Sequence, residues 1–302
     1  MRLSAPIVVA AIAAAVSLAI PTHARAQGEE LRVRREAVLS VLRTPERGTM
    51  AEIARVRGAA LGALAFDALP IAHQFIADEA LGTDAAYAML GADETRALSL
   101  IFESIPQSGP NIQRIAYTWF LDRYAALADT TKAAARGAAL RTLEPVRSTA
   151  NAEAALYVIG LTGSRADLPV LEFHAVNFRT GSRGMRDASH AALLRIGSPA
   201  HLDRILLELA RPLEPTATYQ QGVALTLALQ KAGFSGRTEL VPAICGHLGD
   251  MPLREIDIHV DTGRSARLAL NAIVDGVSVT HLSSGVRSAE DWTMYCADAS
   301  RR

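Results

Sequence analysis

Lysine is nearly missing from this chain: Lys132 and Lys231 are the only two, and arginine supplies every other basic side chain. Lys and Arg together number 31, matched by 31 Asp and Glu, so there is no surplus of positive charge to draw the protein to nucleic acid. Aromatic residues make up 5% of the sequence, and alternating Val, Ile and Thr runs are almost absent, which argues against a β-sandwich or barrel. The one long apolar run, Ile7 to Ile20, falls short of the roughly 20 residues that cross a bilayer, and no later stretch approaches it. G-x-S-x-G, S-x-x-K, H-E-x-x-H and G-x-G-x-x-G are absent, and neither lysine follows a phosphate-binding glycine run. The two cysteines, 51 positions apart, have no zinc-ligand spacing. No cofactor is implied.

What is present begins with Arg2, the apolar run, Pro21 and the small-residue site Ala24-Arg25-Ala26. That order reads as a cleaved secretory signal over residues 1–26, with an uncleaved anchor as the alternative. Cleavage removes Arg2 and Arg25 and leaves 29 basic against 31 acidic residues, a net charge of −2. The expected location is periplasmic or extracellular, without stable membrane insertion. Export places Cys245 and Cys296 where disulfides persist. A bridge between them closes a loop of about 50 residues and stabilises by roughly 4 kcal/mol on the chain-entropy model. The alternative is a pair of buried thiols.

Beyond Asn151 a unit of helix, turn and helix is written three times. With Gly163, Gly197 and Gly236 in register, the residues five later begin matching triples: Leu168, Leu171, Ala175; Leu202, Ile205, Leu209; and Val241, Ile244, Leu248. Each triple has the i, i+3, i+7 spacing of one helix stripe, and the copies start 34 and 39 residues apart. Helical hairpins of this period bury their apolar stripe against the next copy. Ala154-Ala-Leu-Tyr-Val-Ile-Gly-Leu-Thr-Gly163 with Asp167-Leu-Pro-Val-Leu171, and Arg186-Asp-Ala-Ser-His-Ala-Ala-Leu-Leu-Arg-Ile-Gly197 with Leu202, resemble HEAT-like repeats. In that reading Ala155 sits between neighbouring first helices, Ile159 and Leu193 face the partner helix, and each glycine is a left-handed cap. Pro169 and Pro242 open second helices, where a missing N–H costs little. The resemblance extends to a partial fourth copy at 261–276. It departs from the family at Gly233 and Gly236, read as an inserted turn, and at the longer loop Thr180-Gly-Ser-Arg-Gly184. It implies an all-α fold, an α-solenoid of stacked antiparallel helix pairs, and mostly protein-interaction roles.

Residues 27–148 read as helical but less regular. Leu31, Val38, Val41 and Leu42 form a stripe that stops before Pro45; a second helix runs from Met50 to Leu69, and Pro70 opens a third. Asp93 is a candidate cap for a helix ending near Ile105; the loop Pro106–Pro110 then makes the clearest break, after which Asn111 and Thr130 are candidate caps for helices ending near Ala128 and at Pro145. Arg57-Gly-Ala-Ala-Leu61 and Arg136-Gly-Ala-Ala-Leu140 echo each other, as if first helices of degenerate repeats. Tyr117, Trp119, Phe120 and Tyr124 mark a central helix packed on both sides, or else an aromatic anchor in a groove. The division expected is therefore signal 1–26, helical region 27–148, and repeats with a C-terminal capping segment over 149–302.

One stretch invites chemistry. If Glu255 to Asp261 is extended, Glu255, Asp257, His259 and Asp261 share a side, three carboxylates and an imidazole suited to a divalent cation. The plainer reading is a solvated loop in which Asp261 or Thr262 caps the next helix. His174, His190, His201 and His247 fall in different columns and read as surface or satisfied boundary residues. Arg165, Arg179, Arg183 and Arg186 crowd one linker, as a site for a phosphate or an acidic partner or, the commoner case, paired with Asp167, Glu172 and Asp187 nearby. The leading expectation is a non-catalytic exported scaffold for a protein or peptide partner. The alternative is a metal-binding protein or metal-assisted hydrolase using Asp257, His259 and Asp261.

Overall fold

A computed structural model describes residues 27–44, 48–105, 108–144, 146–176, 182–211, 213, 217–250, 252–255, 258–276 and 288–299. Residues 1–26, where the signal segment is expected, and Pro45, Pro106, Pro145, Arg179, Thr180, Gly181 and Asp257 lie outside them. The described chain is helical apart from one short ladder, in which β1 (Leu253–Glu255) pairs antiparallel with β2 (Ile258–Val260). Contacts divide the chain into two compact units, Met1–Leu100 and Ile101–Arg302.

The first unit holds α1 (residues 27–43), α2 (Met50–Gly62), α3 (Leu69–His73), α4 (Gly82–Ala92) and the start of α5 (Glu94–Ser104). Thr49 and Glu52 form a capping box that opens α2, supplying partners for N–H groups the helix itself leaves unbonded. The second helix ends at Gly62, short of the expected Leu69. Asp93 caps α5 as expected, accepting from the Arg96 amide at 3.1 Å. The α2 and α4 backbones touch through glycine: a Cβ on Gly58 would overlap Gly91, and one on Gly91 would overlap the Ala54 carbonyl. Arg57 is buried beside this contact, paired with Asp84 and donating to the Thr44 carbonyl at 3.0 Å.

The second unit continues through α6 (Pro110–Arg123), a 3₁₀ turn at Tyr124–Ala126, α7 (Asp129–Thr142), α8 (Thr149–Thr162) and α9 (Leu168–Val176). Next come α10 (Arg183–Ile196), α11 (Pro199–Leu209), α12 (Tyr219–Ser235), α13 (Val241–Cys245), α14 (Thr262–Val274) and α15 (Ala289–Ala299). Two expected caps are replaced. Gly109, with Pro110 in the first turn, opens α6 in place of Asn111. Ala128 precedes α7, whose first turn then takes in Thr130. A rigid proline ring and an extended predecessor start a helix without a side-chain acceptor.

Helix α8 packs on α6, α7 and α10; α10 packs on α12, and α12 on α14. Helices α8, α10, α12 and α14 thus meet in succession; α9 and α11 touch α10, α11 also touches α12, and α13 touches α14. Glycine sets the approach. A Cβ on Gly160 would stand 2.9 Å from Ala192 Cα, and one on Gly233 would stand 2.9 Å from Ala269 Cα. Gly233 is therefore a helical contact position and no inserted turn, since α12 continues through it to Ser235. Gly197 and Gly236 are left-handed caps with φ of 96° and 66°, as the repeat pattern requires. Gly163 is not: its φ is −80°, and the turn is closed by a capping box between Ser164 and Asp167. The expected long loop before α10 ends at Ser182, which caps that helix, so Arg183 and Gly184 are helical.

Cys245 on α13 and Cys296 on α15 stand at disulfide distance, their Cα atoms 5.7 Å apart. Trp292, fully buried one turn before Cys296, joins Leu209, Leu229, Ile244 and Leu270 in the core there. Truncating a large buried side chain of this kind costs about 3–5 kcal/mol.

Candidate functional site

A groove of about 520 Å³ runs across the first-helix series of the second unit. Its lining follows the repeat. Leu161, Arg195 and Phe234 each stand two residues before their turn glycine, while Tyr157 and Gln230 each stand six before. Asp122, Tyr124 and Ala125 add the end of α6 and the turn after it, and Ala272 and Ile273 add α14. The volume falls in the range of pockets that hold a small ligand or a few residues of peptide.

Its walls are aromatic and held in place. The Tyr157 and Phe234 rings meet edge to face with centroids 4.9 Å apart, and Tyr124 donates its hydroxyl to the Leu161 carbonyl at 2.7 Å. Lys132 stands over the Tyr124 ring. Burial, reinforced by the charges of Glu153 and Asp187, pushes the Tyr157 phenol up to about 12 and keeps it neutral. Arg195 is half-buried; desolvation lowers its pKa from the usual arginine value. One of its N–H groups donates to the Phe234 carbonyl at 2.6 Å, at the end of α12, where a cation also meets the helix dipole favourably.

A second polar group lies across the same helices. Lys231 on α12 pairs with Asp187 on α10 at 2.8 Å, and Arg183 approaches the same carboxylate at 3.8 Å. Burial raises the Glu153 carboxyl, and the nearby Asp187 charge adds to the shift. His190 and His201 face each other with ring centroids 5.2 Å apart. Burial, then the charges of His201, Arg204 and Lys231, push His190 down to about 4, while Asp187 acts weakly in the opposite sense.

The histidines thus correct one expectation and support another. His190 Nδ1 is buried without a partner, so His190 is no satisfied boundary residue, and columns that differ in sequence still bring it to His201. His247 is satisfied: its ring nitrogens meet Asp250 at 2.9 Å and the Leu209 carbonyl at 2.7 Å. His201 meets Ser198 at 2.9 Å, and His174 is buried with its pKa lowered by desolvation. In the arginine cluster, Arg183 reaches Asp187 as expected. Asp167 pairs instead with Arg136, from an earlier helix, at 3.1 Å to Nε. Of the metal candidates, Asp257 lies outside the described residues and His259 falls in β2. Asp261 accepts from the Arg264 amide at 2.6 Å and caps α14, as the plainer reading has it. Among the described residues no three His, Cys, Asp or Glu are grouped to hold a metal ion, and no helix is long and apolar enough to cross a membrane.

The aromatic helix splits between its two readings. Tyr117 and Phe120 are fully buried, with the Tyr117 hydroxyl 2.6 Å from Thr142, whereas Tyr124 lines the groove. Arg195, Phe234, Tyr157 and Lys231 carried no signal of their own in sequence. Reading the column two residues before each turn glycine finds Leu161, Arg195 and Phe234 together. Compared with protein-family models, curated proteins and solved structures, the chain matches none of them.

Proposed function

We propose that the chain is an exported HEAT-like α-solenoid that holds a protein partner without catalysis, with the groove over α8, α10, α12 and α14 as its contact surface. The observation that carries this reading is the register of that groove: matched positions of consecutive repeats line one surface that is partly aromatic and open. The paired Cys245 and Cys296 fit an oxidising compartment, as does the signal-like segment 1–26. With only two lysines, amine-directed crosslinking samples little of the surface. The test is a photo-reactive amino acid at Gln230, an exposed groove position, activated in the native host. One or a few protein adducts are expected. Their absence, while the same amino acid at other surface sites gives adducts, would overturn the proposal.

A further inference from the structure

Arg195 differs from the other arginines that the fold draws inward. Arg57 has Asp84, Arg136 has Asp167, and Arg141 reaches two backbone carbonyls, those of Phe102 and Ile105. Arg195 makes a single hydrogen bond, to the Phe234 carbonyl, and its guanidinium lies over the Phe234 ring at 5.5 Å from the centroid, but it makes no ion pair. A guanidinium carries five N–H groups, so the groove receives a desolvated cation with most of its fork unused. Around it stand Tyr157, Phe234 and Ile273, a surface fitted to an apolar body.

We infer that the groove receives a peptide segment of the partner, with a carboxylate held on Arg195 and an adjoining apolar or aromatic side chain lying against Tyr157, Phe234 and Ile273. This rests on the scaffold reading and gives its partner a chemistry. A carboxylate matches the planar guanidinium two N–H groups at a time, and its single charge balances the single cation. A phosphate carries nearly two charges and asks for further donors, and the lining offers no second cation; Asp122, also on the lining, repels either anion but the doubly charged one more strongly. Nor does the chain's own neighbouring segment serve. Residues 277–287 follow Gly276 at the groove and contain no Asp or Glu.

The probe is a phage-displayed random heptapeptide library panned on the purified full chain. Enriched peptides are expected to carry Asp or Glu beside an aromatic or aliphatic residue. The best of them, measured by calorimetry, should bind at least about tenfold more tightly than its Asn or Gln counterpart, the scale of one charge-assisted hydrogen-bonded pair. Arg195→Gln should abolish that preference and Arg195→Lys should restore part of it. Arg195 also caps α12, so a variant that leaves this bond alone is needed. Gln230→Glu adds a competing carboxylate at an exposed position and should weaken the acidic peptide while sparing its amide counterpart. No enrichment, enrichment without acids, or a preference that survives both Arg195→Gln and Gln230→Glu would overturn the assignment. So would saturation by phenylacetate more tightly than by any peptide, which marks a small-molecule site. Adducts at Gln230 together with a failed peptide test leave the scaffold standing and remove the carboxylate. An acidic preference without protein adducts does the reverse.

Discussion

The pentapeptide Arg-Gly-Ala-Ala-Leu occurs twice, at 57–61 in α2 and at 136–140 in α7, and the two copies turn opposite faces inward. In α2, Arg57, Gly58 and Leu61 are buried while Ala59 and Ala60 are exposed. In α7, Ala138 and Ala139 are fully buried, and Arg136, Gly137 and Leu140 are half-covered. The flanking residues decide. Ala54 lies three and four residues before Arg57 and Gly58, whereas Thr131, Ala135 and Thr142 extend the stripe of Ala138 and Ala139. What the copies share is the arginine's reach: Arg57 pairs with an aspartate 27 residues on, Arg136 with one 31 residues on. A local motif fixes helix and ion pair here, and its surroundings fix which side is dry.

The two copies differ most sharply at their glycines. Gly58→Ala drives a methyl into the Gly91 backbone, so α2 and α4 must part; a loss of about 3 kcal/mol is expected from denaturant midpoints. Gly137→Ala meets only the flexible tip of Arg141. The shared arginines come next, at nearly the same size. Arg136→Ala takes the countercharge from Asp167, which is 3% exposed and keeps only the Ser164 amide, and should cost about 3 kcal/mol; Arg57→Ala, which frees the more exposed Asp84, should cost less. Equal losses would show that the two pairs are interchangeable.

A smaller effect separates the units by pH. His190 lies in the second unit, and its folded pKa, about 4, is below the ordinary 6.5. Its contribution is therefore complete above pH 6.5 and is lost as pH falls from there toward 4, because the unfolded chain binds the proton first. The melting temperature should drop over that window, and His190→Phe should flatten the drop. Smallest is Gly137→Ala, which should raise stability by about 0.5–1 kcal/mol by removing helical glycine. A loss there would mean that α7 is packed as closely as α2.

Much of the helical content was legible because stripes, prolines and turn glycines recur at fixed offsets. Leu202, Ile205 and Leu209 all fall within α11, and Val241 and Ile244 fall within α13, whereas Leu248 lies past the end of α13 at Cys245. Gly163 was misread because the left-handed cap is one of two ways to end such a helix, and Ser164 with Asp167 provides the other. Gly233 was misread because a glycine near a turn looks like a turn, while its need for space arises from Ala269, more than thirty residues on. The groove was harder still. Leu161, Arg195 and Phe234 share a column but no chemistry, and only stacked helices make them neighbours. Asp261 was legible as a cap because an acid just before a helix has an amide to accept from.

The groove exists only if α8 touches α10 at Gly160 and α12 touches α14 at Gly233. Nuclear Overhauser contacts in methyl-labelled protein report this directly. The Gly160 Hα protons should see the Ala192 methyl, and the Gly233 Hα protons should see the Ala269 methyl. If both glycines instead show contacts to other helices and neither alanine methyl, the helices do not succeed one another in this order, and the groove built on them is contradicted.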